Sequence, residues 1–249
     1  MKTMSLSKRS TKTEESNWVS FSDIMTGLMV IFMFIAISYI LEVQKRQEER
    51  NELFEEFQAT KESLYFALDS AFRDDFKKWK VELDKDLSIK FTNPEVLFAS
   101  GQTDIRPYFR EILDEFLPRY FDIILQKKYV DRISEVRIEG HTDQVPAFNF
   151  DADPYIGNIK LSQLRSAQVL KHFRNMPYFK TLPDESVSLL QYWLTANGLS
   201  YGRTLDDNKR LTSESGMPAN NEFSRRVEFR IVTTSDKLVE KVIQELREK

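Results

Sequence analysis

Apolar and polar positions alternate in three different rhythms along this chain, and each rhythm predicts a different kind of structure. The first is a nearly unbroken apolar run from Trp18 to Leu41, WVSFSDIMTGLMVIFMFIAISYIL, with no charged residue between Ile24 and Leu41. At about 1.5 Å of rise per residue, a helix of that length crosses a hydrocarbon core roughly 30 Å thick. The second is a helical stripe. Leu53, Phe57, Leu64, Leu68, Phe72, Phe76, Trp79 and Leu83 recur every turn or every two turns through a segment dense in charges of both signs. That pattern predicts a helix packed along a seam, either against a second copy of the chain or against the domain that follows. Extended as a free stalk, such a helix reaches roughly 65 Å at about 1.5 Å per residue.

The third rhythm begins at Leu87, where short alternating runs are separated by helical ones. Ser88–Phe91, Val96–Phe98, Ser134–Glu139, a stretch near Trp193–Leu199 and Val227–Ile231 are predicted strands. Asp104–Lys128, Asn158–Phe173 and Asp184–Gln191 are predicted helices, with Pro118 a candidate kink in the first of these. Strands interleaved with covering helices make an α+β sandwich domain. The expected organisation is therefore a polar tail over 1–17, a transmembrane helix over 18–41, a helical stalk or linker over 42–86, the sandwich domain over 87–235 and an exposed charged helix over 236–249.

Composition narrows the function classes. In 249 residues, 36 basic side chains face 39 acidic ones, and there is no basic block that would make nucleic acid the main ligand. Cysteine is absent, which removes disulfides and thiolate metal sites. Only His141 and His172 are present, neither at a metal-ligand spacing nor beside a nucleophile signature, so no enzyme and no resident metal are expected. His141 is expected to face a ligand pocket or solvent, and His172 to lie on a helix surface. The apolar run exceeds a usual signal-peptide core and no small-residue cleavage site follows it, so it is expected to be a retained anchor. Lys2, Lys8, Arg9 and Lys12 precede the span while Lys45, Arg46 and Arg50 follow it closely, so charge alone does not orient it.

One acid, Asp23, sits at the near end of the span. Either Ser22 or Asp23 caps a helix beginning at Ile24, or the helix begins near Trp18 and places a carboxylate inside the membrane edge. In the second arrangement Ser20, Asp23, Thr26 and Gly27 form one small, polar helix face suited to close approach by a partner helix.

Three polar motifs stand at predicted strand and helix ends. Gly140-His141-Thr142-Asp143 follows a strand, Asn158 to Val169 (NIKLSQLRSAQV) runs into a helix, and Ser224-Arg225-Arg226-Val227-Glu228 enters the last strand. In this order they resemble the OmpA-like peptidoglycan-binding domain over roughly residues 88–233, and Phe98-Ala99-Ser100-Gly101 is similar to that family's opening turn. Ser166 and Ser224 depart from the usual Ala and Asn, and two loops, 149–155 and 204–221, are enlarged. The resemblance implies a wall-binding site built from Thr142, Asp143, Leu161, Arg165, Arg225 and Arg226. Asp143 would take the ammonium and Arg165 the carboxylate of a diaminopimelate side chain, the geometry a planar guanidinium suits. Without the motifs, Asp143 would be read as a loop cap and Arg165 as a solvated helix charge.

The membrane end, Trp18 through Met29, resembles the start of flagellar stator B subunits. The whole layout of span, stalk and wall-binding domain is shared by those proteins and by the B subunit of the Zorya anti-phage system, to which this chain is the more similar. That resemblance implies an ion-translocating Asp23 lined by Ser20, Thr26 and Gly27, carrying H+ or Na+ without a further cofactor. It implies a ring of multi-span stator A-type subunits, a second copy of the chain, peptidoglycan and membrane lipid as partners, with no direct nucleic-acid contact. It also implies a single-pass inner-membrane protein, N-terminus cytoplasmic and C-terminal domain periplasmic. A flagellar stator subunit and a wall tether without an ion path are the alternatives. The former would have flagellar neighbours in its operon; the latter would not need Asp23.

Overall fold

The computed structural model describes residues 11–92 and 94–234; the predicted tail over 1–10 and the predicted helix over 236–249 lie outside them. The chain forms two compact units, Met1–Glu55 and Glu56–Lys249.

The first unit is the opening part of a long helix, α1 (Thr11–Trp79). From Phe21 onward it carries a stretch, Phe21–Glu52, long and apolar enough to span a membrane. Its large side chains, Ile24, Met29, Phe34 and Tyr39 among them, are all exposed. An apolar surface of that extent is stable against lipid or protein rather than water. Because α1 begins at Thr11, neither Ser22 nor Asp23 is an N-cap.

The second unit contains the rest of α1 and a five-stranded sheet. After α1 come β1 (Val81–Leu83), β2 (Ser88–Phe91), α2 (Pro94–Leu97), α3 (Pro107–Ile124) and α4 (Lys127–Val130). Then follow β3 (Ile133–His141), α5 (Pro154–Asn175), α6 (Pro177–Thr181), α7 (Asp184–Trp193) and β4 (Leu194–Gly198). The short α8 (Thr212–Ser215) and α9 (Asn221–Ser224) interrupt the long loop before β5 (Arg226–Thr233). The strand order is β1-β2-β5-β3-β4. All neighbours are antiparallel except β3 and β4, whose parallel pairing is reached through α5, α6 and α7. The α+β expectation therefore holds.

The stalk ends earlier than its pattern suggests. Leu64, Leu68 and Phe72 are completely buried, and Phe76 and Trp79 nearly so, all inside the same core as the sheet. Phe72 meets Phe116 of α3 at 5.2 Å between ring centroids. Phe116 in turn meets Phe91 of β2 and Phe229 of β5, both at 5.3 Å. Polar clasps hold the same helix: Arg119 bonds Asp75 at 2.6 Å and lies over the Phe72 ring, and Tyr129 bonds Ser63 at 2.9 Å. The seam thus faces the domain that follows, and the division falls at 55/56 rather than 86/87. Residues 81–83, predicted as the end of the stalk, form an edge strand paired with β2.

Two other expectations change. Val96–Phe98 is not a strand: Pro94 starts a helical turn, the position where a missing N–H costs nothing, and only Phe98 bridges to Ile105. The helix expected from Asn158 begins at Pro154, where Asp153 caps the N–H groups of Tyr155 and Ile156 at 2.8 and 3.1 Å. Pro118 is accommodated inside α3.

The sheet and α5 approach each other unusually closely. A methyl group built on Gly140 would lie 2.3 Å from the Ser162 carbonyl oxygen, and one on Gly198 2.4 Å from the Gln163 nitrogen. These contacts clamp α5 over the ends of β3 and β4, and so fix where Arg165 stands relative to Asp143.

Candidate wall-binding site

The site lies where β3 ends and β5 begins, α5 passes over them, and the 99–102 turn folds in. Period-two alternation sorts the strand residues. Val136 and Ile138 of β3, with Val227, Phe229 and Ile231 of β5, join the core. The intervening Glu139, His141, Arg226 and Glu228 stand on the opposite side, and all four are buried.

Asp143, just beyond β3, is almost wholly buried. One carboxylate oxygen accepts the Val145 N–H at 3.1 Å, and the other accepts Arg225 Nη1 at 2.6 Å. Arg165 projects from α5 and is 7% exposed. Its Nε donates to the Gln102 carbonyl at 2.9 Å and its Nη2 to the Ala99 carbonyl at 3.1 Å, while the guanidinium lies 5.1 Å from the centre of the Phe98 ring. Gly101, at φ +65°, makes the turn that presents those carbonyls. Burial lowers the Arg165 pKa to about 10, with the Asp143 charge opposing and the Arg225 charge reinforcing that fall. Arg165 stays a cation at neutral pH, and the partners described for it are neutral carbonyls, without a carboxylate.

Thr142, Asp143, Leu161, Arg165 and Arg225 line one cavity of about 140 Å³. The structure brings these five expected residues together. It adds Asn158, whose Nδ2 donates to the Val145 and Pro154 carbonyls at 3.0 and 3.1 Å. The Thr142 hydroxyl and Asn158 Oδ1 are buried without a hydrogen-bond partner among the described residues, so each can bond a ligand that enters. Asn158 opens the same motif as Leu161 and Arg165; its place in the Asn158–Val169 pattern was the available signal.

Arg226 does not join that cavity. Its Nε bonds Glu228 at 2.5 Å and its Nη1 the carbonyls of Arg203 and Ser224, so it ties down the long loop. It lines a neighbouring cavity of about 450 Å³, together with Arg106, His141, Arg165 and Arg225. His141, expected as a turn residue facing a ligand pocket or solvent, does line this cavity, but as a buried residue of β3, with Nε2 3.7 Å from both Glu139 and Glu228. Burial first, and the Arg226 charge second, lower its pKa. Burial alone would raise the Glu228 pKa, but the Arg226 charge and its hydrogen bond, with other nearby cations, hold it below the usual value. Glu139, His141 and Glu228 bring their ligand atoms within 4.8 Å of one another. Arg226, however, already engages Glu228 and would oppose a dication there as a like charge. His172 lies on α5 as expected, bonded to Asp114 of α3 at 2.7 Å.

Both departures from the family pattern have local reasons. The Ser224 hydroxyl accepts the Leu205 N–H at 3.0 Å and donates to the Asn220 carbonyl at 2.6 Å, anchoring the enlarged 204–221 loop. Ser166 is fully buried and satisfies its hydroxyl on the Gln163 carbonyl at 3.0 Å.

At the membrane end, Asp23 is exposed on α1, Thr26 back-bonds to the Ser22 carbonyl at 2.8 Å, and Gly27 has open space around its Cα. Ser20 shares that helix.

Comparison with known proteins finds a relative that aligns over nearly the whole chain. The Zorya protein ZorB of Escherichia coli (strain Crooks) is 35% identical over 245 residues, covering 96% of this chain and 98% of that protein. Among solved structures, a MotB-like protein from Desulfovibrio vulgaris aligns at 23% identity over 69% of this chain and 94% of its own, with a TM-score of 0.42. The periplasmic domain of Helicobacter pylori MotB aligns at 16% identity over 68% of this chain and 97% of its own, with a TM-score of 0.39. No family model matches the chain.

Proposed function

We propose that this chain, which belongs to the family of the Zorya protein ZorB, is the B-type subunit of an ion-driven inner-membrane motor that anchors itself to peptidoglycan. The observation that carries the wall-binding half is the convergence of Asp143 and Arg165 on one cavity, with Arg165 buried and bonded, among the described residues, to the neutral carbonyls of Ala99 and Gln102. A buried cation in that state favours an incoming carboxylate, and the neighbouring acid favours the ammonium of the same diaminopimelate end group. The unpartnered Thr142 hydroxyl and Asn158 oxygen supply the remaining hydrogen bonds, while Leu161 packs against the ligand's methylenes. Arg225 and Arg226 shape the site.

The motor half rests on Asp23. It lies within a helix that is long and apolar enough to span the bilayer, and no other acid occurs between it and Leu41. An ionisable group at that depth is costly unless it faces a partner or an ion path. Two copies of the chain, inserted in a ring of A-type subunits, present Asp23 with Ser20, Thr26 and Gly27 to that ring. Each Asp23 binds and releases H+ or Na+, and loss of its charge lets the ring step. With the C-terminal domain held to the wall in the periplasm, and the N-terminus in the cytoplasm, the B helices stay fixed while the ring turns. Kinship with ZorB favours the anti-phage complex over a flagellar stator.

The test takes the two halves separately. Asp143→Ala and Arg165→Ala should each reduce retention of the detergent-solubilised chain on purified sacculi by about tenfold or more, the scale of one charge-assisted bond lost. Asp23→Asn should retain sacculus binding yet abolish phage protection in cells. Full protection by a normally expressed Asp23→Asn chain would leave a passive tether as the function.

A further inference from the structure

The two cavities at the site share a stretch of wall. Ser100, Arg165 and Arg225 line both the cavity of about 140 Å³ that holds Asp143 and its neighbour of about 450 Å³. The smaller one by itself lies below the roughly 300 Å³ at which pockets for small ligands begin, so a ligand longer than its end group needs that wall to open. Two of the three wall residues are fixed. Ser100 sits in the turn closed by the Gln102 N–H on the Ala99 carbonyl at 3.0 Å. Arg165 is almost wholly buried and donates to the carbonyls of the same two residues.

Arg225 is the wall residue that can move. Its backbone is pinned: its N–H donates to the Asn221 carbonyl at 3.3 Å, and its neighbours Ser224 and Arg226 are buried and hydrogen-bonded. Its side chain, by contrast, is 36% exposed, and Nη1 reaches Asp143 at 2.6 Å. That bond takes one oxygen of the Asp143 carboxylate, while the Val145 N–H takes the other. The acid read as the receptor for a ligand ammonium is therefore already engaged by a cation of the chain itself. An incoming ammonium and the Arg225 guanidinium compete for one oxygen, and their like charges repel, so one must leave. The Arg225 charge also helps to lower the Arg165 pKa. Its departure relieves Arg165 of that repulsion as a ligand carboxylate arrives.

We infer that Arg225 is the gating residue of the wall-binding site: its guanidinium stands in for the ligand's ammonium on Asp143 in the empty chain, and the ligand's ammonium displaces it outward to water. This rests on the wall-binding reading above and deepens it. With the site empty, the gate keeps a buried carboxylate paired, since an acid left alone there is strongly destabilising. On binding, one ion pair is exchanged for another, so the ammonium contributes less to affinity than it would at an open Asp143. An end group whose amine is acylated has no charge with which to displace Arg225 and leaves the wall closed.

The experiment measures, by calorimetry on the full chain in detergent, the binding of two synthetic probes: the diaminopimelate-ended tripeptide, and the same tripeptide with its free amine acetylated. Arg225→Ala removes the competitor and should bind the free amine about tenfold more tightly than the unaltered chain, the scale of one charge-assisted bond no longer broken. The acetylated probe should gain nothing. Arg225→Gln, which keeps a neutral donor for Asp143, should show a smaller gain of the same sign, and it carries the test if Arg225→Ala does not fold. Arg225→Lys restores a competing cation and should bind the free amine as weakly as the unaltered chain. Damage to the fold cannot raise affinity, so the sign of the change separates a gate from a structural role. Unchanged or weaker binding of the free amine by the folded neutral variants would overturn the gate and make Arg225 an ordinary ligand contact, with the wall-binding reading left in place. Failure of the unaltered chain and of both neutral variants to bind the free amine would instead refute the wall-binding reading, and the gate with it.

Discussion

Replacing Gly140 by Ala tests how the fold sets the binding geometry, because the substitution touches neither cavity. The added methyl would sit 2.3 Å from the Ser162 carbonyl oxygen and 3.0 Å from its carbonyl carbon, both backbone atoms of α5. Ordinary contact begins near 3.4 Å, so α5 must retreat by about 1 Å. It cannot do so freely: Leu161, Val169 and Phe173 on that helix are buried, and Phe173 stacks on Phe121 of α3 at 4.1 Å. Overpacking of this kind costs about 1–3 kcal/mol, which for a chain of this size lowers the melting temperature by roughly 3–10 °C. The functional effect is separate. Arg165 lies one turn beyond Leu161 on the displaced helix, and a shift of about 1 Å breaks its paired reach to the Ala99 and Gln102 carbonyls and to a ligand carboxylate. Retention on sacculi should fall by about tenfold, the loss of one charge-assisted bond, at temperatures where circular dichroism shows the variant folded. Gly202→Ala is the control, since its nearest contact for an added methyl is an unstrained 3.6 Å. If Gly140→Ala melts within 1 °C of the unaltered chain and binds sacculi normally, the close approach of α5 to β3 does not position the site.

Two further outcomes follow from the core and its buried charges. Leu68→Ala, in the segment that reads as stalk but lies fully buried, should destabilise the chain by about 2–5 kcal/mol in chemical denaturation; a change below 0.5 kcal/mol would return that segment to a free stalk. His141 is held neutral by burial, its pKa lowered from 6.5, so the unfolded chain takes up a proton that the folded chain refuses. Its contribution is complete above the unfolded value and is lost as pH falls from there toward the lower folded value, at a slope of at most about 1.4 kcal/mol per pH unit. His141→Gln should flatten the stability curve below pH 6.5 while leaving the acid loss from Glu228 at lower pH; an unchanged curve would mean that His141 does not titrate differently on folding.

Several features were legible because they depend on local chemistry alone. The apolar run, the alternating strands at Ser134–Glu139 and Val227–Ile231, and the helix carrying Leu161 and Arg165 each follow from side-chain period and propensity. The motif order pointed to Asp143 and Arg165 before any geometry was known. The short elements were less legible. Pro94 starts one turn of helix where β-branched and aromatic neighbours suggested a strand, since a few residues of apolar sequence satisfy either period. Asp153-Pro154 was a readable cap and first-turn pair, obscured by the loop-rich composition around it.

The sequence by itself determined the kinds of element and the residues able to carry charge or bury surface, because hydrophobic period and turn chemistry act over a few residues. Which partner each surface takes was decided only by tertiary structure, because that depends on residues far apart in the chain. The stripe from Leu64 to Trp79 suits a coiled coil and a domain core equally; Phe116, Phe91 and Phe229 decide for the core. Arg165, Arg225 and Arg226 are equivalent as sequence, yet one is buried against neutral carbonyls, one clasps Asp143 and one neutralises Glu228. The glycine contacts of α5 with β3 and β4 make that separation, since only an absent side chain lets the helix come near enough to bring Arg165 and Asp143 to one cavity.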